Sequence, residues 1–102
     1  MLDRTFNALA DPTRRRILAL LRDGDLPAGQ IAGHFEMAWA SVSHHLNVLR
    51  EAGLVLSQRE GQFLIYSLNT TVFQDALQHL MEFVPPPAAV ATSRRKKGKP
   101  DA

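Results

Sequence analysis

Cysteine is absent from the 102 residues, so disulfides, thiolate metal sites and thiol redox sensing are excluded within this chain. Aromatic residues are sparse, with one Trp and one Tyr, and no apolar run approaches the roughly 18 residues of a membrane span. The first residues, MLDRTFNALADP, lack the apolar core of a signal peptide, which sets the expectation of a soluble, cytoplasmic protein. Also missing are a nucleophile with a nearby base, a Gly-rich phosphate loop and paired buried carboxylates, so no enzyme is expected. What is present suffices for one domain. The 45% of hydrophobic residues allow a small core, of the kind that short chains often complete by pairing.

A sequence pI near 9.5 suggests a polyanionic partner, but the charge is unevenly placed. Arg94, Arg95, Lys96, Lys97 and Lys99 against Asp101 give residues 94–102 a net +4, leaving −2 on the first 93. The body is slightly acidic, so any case for nucleic acid must rest on where donors sit rather than on total charge. Pro85-Pro86-Pro87 ends the patterned region, and from Ala88 onward small and basic residues offer nothing to pack. Residues 1–84 are therefore expected to form the domain, and 85–102 a disordered tail. That tail either adds non-specific phosphate affinity or serves solubility.

Leu2, Phe6 and Leu9 recur at i, i+4 and i+7 and predict a short amphipathic helix ending before Pro12. Asp11 then suits an N-cap with Pro12 at N1, opening a second helix through Leu21 that buries Ile17, Leu18, Leu20 and Leu21. Arg14 lies within about 60° of Ile17 on the wheel and is expected to ion-pair, with Arg15 and Arg16 solvated. Pro27 suits the first turn of a third helix, carried by Ile31, Ala32 and Phe35 to near His34–Glu36. Beyond Gly53 the texture becomes that of a hairpin. Leu54–Arg59 and Gln62–Leu68 predict two strands around Glu60-Gly61, with Leu64, Tyr66 and Leu68 facing the helices. Thr70 or Thr71 is expected to cap a last helix over Val72–Phe83, bearing Phe73, Ala76, Leu77, Leu80 and Met81.

The most informative run is Met37–Val55, MAWASVSHHLNVLREAGLV. As a helix from Trp39 to Ala52 it gathers Val42, Leu46 and Leu49 into one buried stripe. With Val42 at zero and about 100° per residue, Ala40, Ser43, His44, Asn47 and Glu51 fall between roughly 100° and 200°. Short hydrogen-bonding side chains then face outward, as a helix in the DNA major groove requires. Together with the third helix just upstream this makes a helix-turn-helix, followed by a two-stranded wing.

In that order the residues resemble the ArsR/SmtB-type family of winged helix-turn-helix repressors, over about residues 2–84. The resemblance is carried by Ala8–Leu18, ALADPTRRRIL, and by Val42-Ser43-His44-His45-Leu46. Val48–Val55, VLREAGLV, Arg59-Glu60-Gly61 and Tyr66-Ser67-Leu68-Asn69 complete it. It implies an α+β, mostly helical fold and a homodimer pairing through the first and last helices, which represses transcription from a double-stranded DNA operator. Metal-sensing members that use the third helix carry cysteines there. The corresponding Ala28–His34 segment has none, so the chain looks closer to the metal-independent, SdpR-like branch, often autoregulatory. No cofactor is expected, and the inducer is left open.

The expected DNA-contacting residues are Trp39, Ala40, Ser41, Ser43, His44, Asn47, Arg50, Arg59 and Gln62. Ser43 and His44 match family contact positions and point outward on the wheel. Ala40 offers a methyl group that suits a thymine methyl, and Asn47 can pair with adenine or a phosphate. Arg50 suits a phosphate, and Arg59 and Gln62, flanking the wing turn, suit phosphates or the minor groove, with solvation the alternative for each arginine. Trp39, at the stripe's edge, is expected to pack under the helix start, or else to lean on the DNA backbone. His45 is expected to be structural. Leu2, Phe6, Leu9, Phe73, Leu77, Leu80 and Met81 are the expected dimer seam. Two other readings stay open. One is a winged-helix protein-interaction module; the other is a zinc-responsive repressor using Asp75, His79 and Glu82, which share a face of the last helix.

Overall fold

One carboxylate makes the N-terminal corner. In the computed structural model, which describes residues 2–86, Asp11 has extended backbone and its side chain accepts from the Arg14 N–H at 3.0 Å. Helix α1 (Leu2–Leu9) therefore stops, and α2 (Pro12–Arg22) starts at Pro12 with its fixed φ. The inward face of α1 is Thr5 and Ala8, while Leu2, Phe6 and Leu9 are only half-buried. Thr5 donates its hydroxyl to the Ala52 carbonyl at 3.0 Å, a buried bond across 47 residues that fixes α1 against the middle of the chain.

Two features differ from the sequence expectation in the next segment. Leu26–Pro27 forms a short strand, β1, and α3 (Ala28–Ala32) ends at Gly33 rather than near His34–Glu36. Beyond Gly33 the chain tightens into turns, with His34 N–H donating to Ile31 and Phe35 N–H to Ala32. Helix α4 (Trp39–Glu51) follows as expected, with Ala52 at its C-cap and Gly53 beyond it at φ +80°.

The wing comprises β2 (Val55–Glu60) and β3 (Phe63–Leu68), antiparallel, with Val55 opposite Leu68 and Glu60 opposite Phe63. Gly61, at φ +65°, takes the first position of the two-residue turn, where a side chain is disfavoured. The sheet is not two-stranded: β1 pairs with β3, Leu26 opposite Tyr66, giving the order β1-β3-β2. Pro27 is tolerated there because β1 is an edge, where a missing N–H donor costs no ladder bond. Helix α5 (Thr70–Met81) begins two residues before the expected start; Asn69, not Thr70 or Thr71, holds the cap position, without a side-chain cap bond.

Ile17, Leu18 and Leu21 from α2, Ile31 from α3, and Val42, Leu46 and Leu49 from α4 close the core with Leu54, Val55 and Tyr66. Full burial of one such aliphatic side chain stabilises by about 1.5–3 kcal/mol, so this cluster fixes how α4 is rolled. Rolling α4 sets what faces outward. No helix among the described residues is long and apolar enough to cross a membrane. The expected tail beyond residue 86 lies outside the described residues.

Candidate nucleic-acid interface

With Val42, Leu46 and Leu49 essentially inaccessible, the other side of α4 is turned to solvent. Ala40, Ser41, His44, Asn47 and Arg50 are exposed, and Ser43 is half-buried at the edge of the row. Arg50 donates to the Asn47 Oδ1 at 3.2 Å, which turns the Asn47 amide N–H groups away from Arg50 and sets two donor groups side by side. The wing carries Arg59 in β2 and Gln62 in the turn itself, both exposed; the turn is Gly61-Gln62 rather than the expected Glu60-Gly61, since Glu60 still pairs with Phe63.

Trp39 corrects the sequence expectation. It is 54% exposed rather than packed beneath the helix start, because it borders an open cleft that the start of α3, at Ala28 and Gly29, lines without filling. Trp39, Ser43, Asn47 and Arg50 from α4 meet Gln62 from the wing around one cleft of about 580 Å³, while Ala40, Ser41, His44 and Arg59 lie outside it. Phe63, also 54% exposed, joins that cleft and was not among the expected contact residues. Strand alternation already turned it outward; nothing in the sequence showed that it faces the start of α4.

Behind the row, His45 is half-buried and its Nδ1 lies 3.3 Å from the Arg14 guanidinium. Arginine can only donate, so that ring nitrogen accepts and the proton of neutral His45 sits on Nε2. Asp11 Oδ2 is 3.8 Å from the same nitrogen. The Arg14 N–H bond, with the Arg14 charge adding to it against partial burial, holds the Asp11 carboxyl below its ordinary 3.8. Arg14 does not form the expected ion pair. Its Nε donates to the Ala8 carbonyl at 2.8 Å and its Nη2 to the Asn7 carbonyl at 3.3 Å, which the Ala10 N–H also reaches, so the guanidinium covers the end of α1. Arg15 likewise reaches the Leu9 carbonyl at 2.9 Å, and Arg16 stacks over Phe35 at 4.7 Å, so neither is merely solvated.

Away from this face, Leu77, Leu80 and Met81 are exposed on α5, Leu77 by 60%, while Leu9 and Phe73 pack partly on the core. His79 lies between Phe6 and Phe83, with ring centroids 6.0 and 5.7 Å away, and its Nδ1 is 3.8 Å from Glu82. No group of three His, Cys, Asp or Glu side chains among the described residues gathers into a metal-holding set, Asp75, His79 and Glu82 included.

A helix-turn-helix with a wing and an outward polar helix defines the class: a DNA-binding transcriptional regulator, not an enzyme. Residues 11–57 match the bacterial regulatory protein family arsR, and the chain belongs to that family. It is 49% identical over 83 residues to the transcriptional repressor SdpR of Bacillus subtilis (strain 168), covering 81% of this chain and 92% of that protein. The regulator CmtR of Mycobacterium tuberculosis is 43% identical over 83 residues, 81% of this chain and 70% of its own length. A crystal structure of an ArsR family transcriptional regulator superposes with a TM-score of 0.76 at 31% identity, over 79% of this chain and 89% of that one.

Proposed function

We propose that the chain is a cytoplasmic, homodimeric repressor that binds an imperfect palindromic operator without a metal ion. The observation that carries this reading is the exposed row Ala40, Ser41, His44 and Asn47, held outward by the fully buried Val42 and Leu49. Direct readout needs such a row on a helix narrow enough for the major groove. In a dimer seamed by Leu2, Phe6, Leu9, Phe73, Leu77, Leu80 and Met81, two copies of α4 enter successive major grooves about 34 Å apart. Half-sites near one helical turn apart follow. Trp39, Ser43, Arg50, Arg59 and Gln62 flank the row and serve backbone phosphates and register.

Support for metal independence comes from the absence of cysteine and from the α5 side chains, where one histidine and two carboxylates are a poor zinc set. The likeness to the repressor SdpR supports repression, with autoregulation as the first target to test. Fluorescence anisotropy on a labelled fragment upstream of the chain's own coding sequence is the test, at about 150 mM salt with competitor DNA and a chelator. Tight binding that survives both is expected. Binding lost in chelator and restored by zinc would overturn metal independence, and no binding to any genomic fragment would overturn the operator reading.

A further inference from the structure

The cleft between the start of α4 and the wing has more apolar and aromatic wall than contact with phosphates uses. Trp39 from α4 and Phe63 from the wing line it with about half their surface in solvent, two large aromatic side chains brought to one cleft by different elements. Leu46 and Tyr66 line it from the core side. Tyr66 is only 4% exposed, yet among the described residues its hydroxyl has no protein hydrogen-bond partner. A buried hydroxyl without a partner is uncommon, and at the wall of a cleft it is available to a ligand. Arg50 stands at the opening, and among the described residues no carboxylate lies within ion-pair distance of it.

We propose that this cleft is a small-molecule site for a planar aromatic anion, and that its occupant and DNA exclude one another. The volume of about 580 Å³ falls within the roughly 300–1,000 Å³ of ligand pockets. A flat ring system would lie against the Trp39 and Phe63 side chains with one edge toward Tyr66, all three of which line the cleft. Its carboxylate or sulfonate meets the Arg50 guanidinium, a charge-assisted bond that fixes the orientation. A DNA strand uses the donors at the rim but has no aromatic plane to insert without unstacking a base. Exclusion follows because Asn47, Arg50 and Gln62 line the cleft and also belong to the DNA-contacting set. That second half rests on the operator reading above; the site itself does not.

Trp39 is the only tryptophan, so its indole N–H gives one cross-peak that reports this cleft alone. Titrating full-length ¹⁵N-labelled protein with 2-naphthoate to about 5 mM is expected to move that peak saturably. The uncharged 2-naphthalenemethanol is expected to bind at least tenfold more weakly, and Arg50→Ala to erase that difference. Tyr66→Phe is expected to weaken 6-hydroxy-2-naphthoate, whose hydroxyl lies opposite its carboxylate, several-fold more than naphthoate itself, while leaving the remaining spectrum in place. A peak that does not move, equal affinity for both probes, or naphthoate binding unchanged in Arg50→Ala overturns the site. A flat titration combined with operator binding weakened by Phe63→Ala also overturns it, assigning the aromatic rim to the DNA backbone. In the anisotropy assay, naphthoate is expected to raise the apparent operator Kd by the factor that its own Kd dictates. Site binding with an unchanged operator Kd overturns exclusion, whereas failure of all operator binding overturns only the repressor reading.

Discussion

Asp11 holds the turn between α1 and α2 with a single oxygen, so its loss is expected to be felt throughout the domain. Asp11→Ala should lower stability by about 1 kcal/mol in urea unfolding. Because the folded carboxyl titrates below its ordinary 3.8, its contribution is full above that value and is lost as pH falls through the depressed one. Asp11→Asn, which keeps the cap oxygen, should therefore flatten the acid limb of stability below about pH 4. On the reading face, His44→Ala is expected to weaken the operator by about 1–3 kcal/mol while sparing random DNA, as anisotropy on both would show. At this scale the sequence was legible where chemistry is local: a capping aspartate before proline needs no distant partner. Arg14 was not, since its acceptors are carbonyls that only the folded corner brings within reach. Trp39 was misjudged for a related reason. A helical wheel gives the side a residue faces, not whether another element covers that side.

Among the elements, the wing is the easiest to perturb without disturbing the core. Arg59→Ala is expected to reduce the salt dependence of DNA binding by about one phosphate's worth, uniformly across sequences, in anisotropy at several salt concentrations. Gly53 is the opposite case. At φ +80° with the Val72 Cγ2 only 3.4 Å from an added Cβ, Gly53→Ala should cost about 1 kcal/mol or more in urea unfolding. Helices α2 and α4 were legible nearly to the residue because long apolar stripes and flanking Pro or Gly mark them from within. Strand β1 was not. Two residues, one a proline, carry no periodicity, and their conformation comes from the β3 edge they meet. The early end of α3 at Gly33 was equally hidden, since Phe35 continues the apolar spacing after the helix has stopped.

For the whole molecule, the proposed seam makes the most direct claim. Leu77→Arg is expected to give monomers in sedimentation with little operator affinity, because a single half-site forfeits the gain from linking two. A Leu77→Arg protein that stays dimeric would place the seam elsewhere. One further consequence concerns folding. The pairing of Leu26 with Tyr66 ties together the two ends of the segment that contains all of α4. Helix α4 thus sits inside a chain loop closed by a strand pair, held at its far end by the Thr5 bond to Ala52. Its backbone amides are expected to exchange with solvent deuterium only when the sheet separates, as slowly as the most protected amides of the domain. The element that would meet DNA is then among the last to come apart, and by reversibility its protection is expected to appear on refolding together with the sheet that closes the loop around it.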